Sequence, residues 1–130
     1  MTLKPEQRIH MQIIEWFKLV HPKYYDDFHH FANERQCSVI TGSILKKMGV
    51  KAGVSDFHLA LGRGGYFGFW LELKVGKNRL TPLQKEFLDR KMQRGYLAVA
   101  AWGFDDAIRI INNYINMHET TELSILNKCA

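Results

Sequence analysis

Cysteine is scarce in this chain: Cys37 and Cys129 are the only two in 130 residues. They form no C-x-x-C pair, so neither a disulfide framework nor a zinc site is expected, although a single bridge between them stays open. Long apolar runs are missing as well, and none approaches the roughly 20 residues that a membrane helix needs. A membrane partner is therefore not expected. The opening Met1-Thr2-Leu3-Lys4-Pro5-Glu6 lacks the apolar core of a secretory signal, which makes the cytoplasm the default location. No serine, cysteine and histidine constellation suggests nucleophilic catalysis. Gly62-Arg63-Gly64-Gly65 sits inside a hairpin pattern, not at a strand-to-helix turn, so neither a nucleotide cradle nor an organic cofactor is expected. Internal repeats, low-complexity segments and linkers are also lacking, and one domain is the simplest organisation.

What is present is an ordinary globular composition, 46% hydrophobic and 24% charged, with a formal net charge of +5 and a pI near 9.3. The basic excess points modestly to a polyanion, because clustered Lys and Arg release counterions from a phosphate backbone. Pro5 suits the first turn of a helix running to about Val20, with Ile9, Ile13, Trp16, Phe17 and Val20 as its apolar stripe. Glu6 projects within that stripe and Glu15 away from it. Glu6 reads equally as an inward site acid or as a first-turn acid complementing the helix dipole. His21-Pro22 ends the helix, and Asp27 to Ala32 reads as a first strand. Its His29-His30 pair faces opposite ways on a strand and cannot chelate one ion together. Thr41 or Ser43 caps a short helix from Ile44 to Met48 that stops at Gly49.

Two strands follow, Phe57 to Leu61 and Phe67 to Val75, joined by a loop whose glycines permit positive φ. With Gly64 at the turn centre, Asp56 falls opposite Glu72. Glu72 and Lys74 share one face while Leu71, Leu73 and Val75 point to the other. Thr81, Pro82 and Gln84 then make a capping box for a helix that buries Leu83, Phe87, Leu88 and Met92 and ends at Gly95. Gln84 thus has a structural role in its own right. Tyr96 to Trp102 reads as a strand buried on both faces, and Phe104 to Ile115 as a helix with Ala107, Ile108, Ile111 and Ile115 inward. Strand, helix, strand implies a crossover in the same sheet. The tail beyond Asn116 carries no clear signal, although Leu123, Ile125 and Leu126 offer packing residues.

Asp56, Glu72 and Lys74 should therefore converge from otherwise apolar strands, where two acids are costly to desolvate unless a cation uses them. Mg²⁺ or Mn²⁺ held by Asp56, Glu72 and the backbone carbonyl of Leu73 would suffice. Such an ion activates water and offsets charge on phosphorus oxygens, and Lys74 can stabilise the same transition state. The competing reading is a solvated Glu72–Lys74 pair on a half-exposed strand. Lys46, Lys47 and Lys51 before the aspartate, with Lys77 and Arg79 after the lysine, flank the motif where a phosphate backbone would pass, or form an ordinary solvated face.

Gly49-Val50-Lys51-Ala52-Gly53-Val54-Ser55-Asp56, Leu71-Glu72-Leu73-Lys74 and Leu80-Thr81-Pro82-Leu83-Gln84, in this order and spacing, resemble the PD-(D/E)xK nucleases and, more narrowly, the VRR-NUC family. The resemblance runs from about Pro5 to Ile115 and extends to Asn33-Glu34. Ser55 stands where the family often has proline. The resemblance implies an α/β fold with a restriction-endonuclease-like core, a central mixed sheet flanked by helices in the order α-β-α-β-β-α-β-α. It places the nuclease domain in residues 1–116, with 117–130 as a tail of unknown role. It also implies Asp56 and Glu72 as metal ligands, Lys74 as catalytic lysine, Gln84 as support and Glu6 as the helix acid. The expected activity is Mg²⁺- or Mn²⁺-dependent DNA cleavage, selective for branched DNA such as Holliday junctions, by a homodimer in a bacterial or phage-infected cell. A non-catalytic DNA-binding module and an RNA-directed nuclease are the alternatives.

Overall fold

The computed structural model describes residues 2–32 and 38–129, with the side chains of 128 and 129 excepted. Asn33-Glu34, Cys37 and the thiol of Cys129 thus lie outside the described residues. The chain runs α1 (Pro5–Val20), a 3-10 helix (Pro22–Asp27), β1 (Phe28–His30), α2 (Val39–Lys47), β2 (Phe57–Leu59) and β3 (Phe69–Lys74). It continues with α3 (Pro82–Gln93), β4 (Leu97–Trp102), α4 (Gly103–Ile115) and α5 (Glu122–Cys129). One mixed sheet has the order β1-β2-β3-β4. Its first three strands are antiparallel, and β4 runs parallel to β3 after the α3 crossover. This is the expected α/β architecture with one further helix at its end.

Period-2 alternation divides the sheet into two faces. Phe57, Leu59, Phe69, Leu71 and Leu73 pack with Ile13 and Phe17 of α1 and Ala107, Ile111 and Tyr114 of α4 in the main core. On the other face Ala98 joins Phe87 and Leu88 of α3, with Val54, Trp70, Leu80 and Ala100 around them. Strand β4 is therefore covered on both sides. Glu72, between Leu71 and Leu73, lies on the α3 side of the sheet.

The hairpin register is the one centred on Gly64: Phe57 pairs Leu71, and Leu59 pairs Phe69. The strands are shorter than the alternation predicts. The intervening backbone finds other partners, because Tyr66 N–H donates to Arg63 O at 2.9 Å and Gly64 N–H to His118 O at 2.8 Å. Thr120 Oγ1 also donates to Tyr66 O at 2.6 Å. The segment after α4 thus stitches the wide loop in place of a longer strand pair.

Four further expectations are corrected. Helix α2 begins at Val39 with Ser38 as N-cap, its Oγ accepting from Thr41 N–H at 3.1 Å. It buries no residue, so no apolar period marks where it starts. Beside it, β1 is only three residues long because a 3-10 helix occupies Pro22–Asp27. Val20 and Met92 are exposed at helix ends. Leu83 is exposed too, since its backbone and Cβ back onto Gly53, where an added Cβ would lie 2.9 Å away. That approach, together with φ +86 at Gly53, needs a residue without a side chain.

Candidate active site

Asp56 stands just before β2, at the open end of the hairpin. Its carbonyl accepts from Phe31 N–H at 2.7 Å, and its own N–H donates to Glu72 Oε2 at 3.2 Å. Leu73 N–H in turn donates to Asp56 Oδ2 at 2.7 Å. Where the β2–β3 ladder would continue, carboxylate oxygens have taken the place of backbone acceptors. Lys74 Nζ lies 3.8 Å from Glu72 Oε1. Asp56 and Glu72 are only 4% and 2% exposed, which is incompatible with a solvated surface pair. The structure thus brings Asp56, Glu72, Leu73 and Lys74 together. Leu73 touches Asp56 through its N–H.

Two buried acids in contact cannot both ionise cheaply. Burial pushes the Asp56 carboxyl up, but His10, Glu72 and the Leu73 N–H outweigh it and hold the group below its ordinary value. Burial, then the adjacent Asp56 charge, drives Glu72 the other way, up to about 8, against the pull of Lys74. The pair therefore carries about one charge near neutral pH. A divalent cation would let both ionise, so the donor set fits an oxygen-seeking ion.

Gln84 is buried, and its Oε1 accepts from Thr81 N–H at 2.9 Å while its own N–H donates to Thr81 Oγ1 at 3.2 Å. The capping box is thus formed. Close packing of Leu83 on Gly53 anchors this helix start against the loop that leads to Asp56. Glu6 is exposed in the first turn of α1. One turn later, His10 reaches the site, with Nε2 3.8 Å from Asp56 Oδ1. Lys46, Lys47, Lys51, Lys77 and Arg79 are all exposed, the first three ahead of the aspartate and the other two directly after β3.

The sequence reading set His30 aside together with His29 and did not single out His10. His10, His30 and Asp56 offer ligand atoms that all lie within 4.8 Å of one another. His29 does face away from this cluster's side of the strand, pairing with His58, so the adjacent histidines do not act as a pair. The available signals were helical spacing, which sets His10 beside Ile13 and Phe17, and a β1 register that carries His30 beside Phe57. Burial, then the neighbouring His10, lowers the His30 pKa.

A mixed sheet flanked by helices, with Asp56 and Glu72-x-Lys74 gathered at the end of its hairpin, defines the restriction-endonuclease-like class of α/β proteins. A solved structure of a VRR_NUC domain protein superposes with a TM-score of 0.79 at 31% identity, covering 92% of this chain and 94% of that one. The chain belongs to the VRR-NUC family of nuclease domains. No family model matches the sequence, and no curated protein does. Among the described residues, no helix is long and apolar enough to cross a membrane.

Proposed function

We propose that this protein is a divalent-metal-dependent DNA endonuclease that hydrolyses phosphodiester bonds, with branched DNA such as a Holliday junction as its substrate. The observation that carries the reading is the buried, hydrogen-bonded Asp56–Glu72 pair with Lys74 beside it. Asp56, Glu72 and the Leu73 carbonyl would hold Mg²⁺ or Mn²⁺. When bound, the ion acidifies a water and offsets charge building on the phosphorus oxygens. Lys74 contributes its ammonium to the same developing charge from the Glu72 side. Gln84 supports the site by capping the start of α3, whose Leu83 packs on the aspartate loop at Gly53, and Glu6 stands in the first turn of α1. Lys46, Lys47, Lys51, Lys77 and Arg79 hold the phosphate backbone on either side of the acids.

A twofold homodimer would present two such sites to two strands. Its test is mass measurement in solution with and without junction DNA, where a monomer in both removes this part. For the chemistry, purified protein should cut junction DNA in Mg²⁺ or Mn²⁺ and not in EDTA. Glu72→Ala and Lys74→Ala should each lose about 10²- to 10³-fold in rate, the usual effect of removing one transition-state contact. Wild-type rates in both variants would end the endonuclease reading. Salt-sensitive binding without cleavage would favour a DNA-binding module, and faster cleavage of RNA an RNA-directed enzyme.

A further inference from the structure

The residues beside the two acids do not all suit the oxygen-seeking ion invoked for cleavage. Among the described residues, His10 Nε2 is buried and has no hydrogen-bond partner. Its nearest acid is Asp56, whose Oδ1 lies 3.8 Å away, too far for a hydrogen bond, and a buried polar atom without such a bond is costly. His10 and His30 lie with ring centroids 4.8 Å apart. Both rings rest on Phe57, at 5.4 Å and 5.1 Å, so one apolar surface orients the two imidazoles. Asp56 completes the group, and its two oxygens face different neighbours. Oδ2 takes the Leu73 N–H, whereas Oδ1 is the oxygen nearest His10.

We infer that His10, His30 and Asp56 Oδ1 form a second cation position that takes a first-row transition ion such as Mn²⁺, Co²⁺ or Zn²⁺ in preference to Mg²⁺. The inference rests on the nuclease reading only for its purpose, which is to supply a neighbouring cation across a shared Asp56. Its chemistry stands on the donor set. Imidazole nitrogen suits transition ions, whereas Mg²⁺ holds to oxygen and water. Metal–ligand bonds of about 2.1 Å in a tetrahedron set donor atoms about 3.4 Å apart. The present atoms, within 4.8 Å of one another, need a contraction of up to about 1.4 Å to reach that spacing, which side-chain rotation can supply. His30 is exposed, giving the ion a route in and leaving a position open to solvent or a phosphate oxygen.

The full chain without DNA provides the test. Mn²⁺-loaded protein examined by pulsed electron paramagnetic resonance should show ¹⁴N couplings from imidazole, and Co²⁺-loaded protein should show visible ligand-field bands. His10→Ala and His30→Ala should each weaken transition-ion binding by roughly 10- to 100-fold and reduce the nitrogen couplings, with Mg²⁺ affinity by calorimetry unchanged. His10→Gln, which keeps a polar side chain of similar reach, guards against loss through misfolding and should also lose its share of the couplings. Wild-type protein with Mn²⁺ bound but no ¹⁴N coupling overturns the inference, as does coupling that survives in a double His10→Ala, His30→Ala variant. Nuclease activity persisting in either case leaves the proposed function standing. Histidine coupling in a protein that cuts no nucleic acid supports the cation position and removes the function instead.

Discussion

The two ends of the β2–β3 hairpin both bury charge, and they treat it in opposite ways. At the turn, Arg63 is 8% exposed. Its Nε donates to Ile115 O at 3.1 Å, its Nη1 to Gly62 O at 3.0 Å and its Nη2 to Tyr24 Oη at 3.0 Å. Tyr114 Oη accepts the Arg63 N–H and donates to Leu61 O, and burial pushes its pKa up to about 12. A guanidinium at the carboxyl end of α4 also meets the negative end of that helix. At the open end, two carboxyls are pressed together with one lysine, and a histidine nitrogen nearby has no hydrogen-bond partner among the described residues. The turn is a finished structural network. The open end instead crowds two acids into one buried space.

The largest expected effect on stability follows at the turn. Arg63→Ala strips buried acceptors of their donors and should cost about 3 kcal/mol, read as a lowered denaturation midpoint that is the same in EDTA and in Mn²⁺. Glu72→Gln is the counterpart. Replacing a carboxyl that must take up a proton on folding should leave the metal-free protein at least as stable as wild type, by up to about 1 kcal/mol, while abolishing both cleavage and the stabilisation that Mn²⁺ confers. If Glu72→Gln instead destabilises the EDTA form as much as Arg63→Ala does, both ends are structural and the contrast fails.

The same contrast appears on titration. Glu72 has its folded-state pKa raised from 4.5 to about 8, so the folded protein binds a proton that the unfolded chain releases. Stability of the metal-free protein should therefore fall as pH rises from about 4.5 towards 8. Asp56, with its pKa lowered, contributes in the opposite sense only at more acid pH. Burial lowers the pKa of His30 and of His58, which makes stability rise with pH over part of the same window, so thermal melts in EDTA should lose stability with rising pH more in wild type than in Glu72→Gln, and saturating Mn²⁺ should shrink that difference. Identical wild-type and Glu72→Gln profiles in EDTA would show that the acids are not under mutual strain.

Much of this was legible from the sequence because local rules and tertiary demands agree. Glycine placement in the loop set a register that puts Asp56 across from Glu72, and Thr81-Pro82-Leu83-Gln84 announced a helix start that the structure adopts. Disagreement arose where a segment takes its order from distant partners. The wide loop pairs with residues 118–120 instead of extending the strands, and no period-2 pattern records that. Helix α2 keeps Val39, Ile40 and Ile44 exposed, so it lacks the one-sided stripe by which helices are read. His10 escaped notice because a histidine among Ile9, Ile13 and Phe17 looks like core, and its meaning depends on β1 bringing His30 alongside Asp56.

The smallest effect tests a residue that belongs to both kinds of region. Gln84 caps α3 through Thr81 and is buried near the loop that leads to Asp56, so its amide could serve the helix alone or also the site. Thr81→Ala removes the hydroxyl acceptor of the box and should cost about 1 kcal/mol. Gln84→Ala removes the reciprocal half and should cost a similar amount if capping is all it does. The two variants should then match in denaturation midpoint, and any difference in cleavage rate isolates what Gln84 adds beyond the cap. A rate for Gln84→Ala well below that of Thr81→Ala assigns the amide to the acid end of the hairpin. Equal rates leave it with the structural elements, and the reactive set contracts to Asp56, Glu72 and Lys74 with their histidine neighbours.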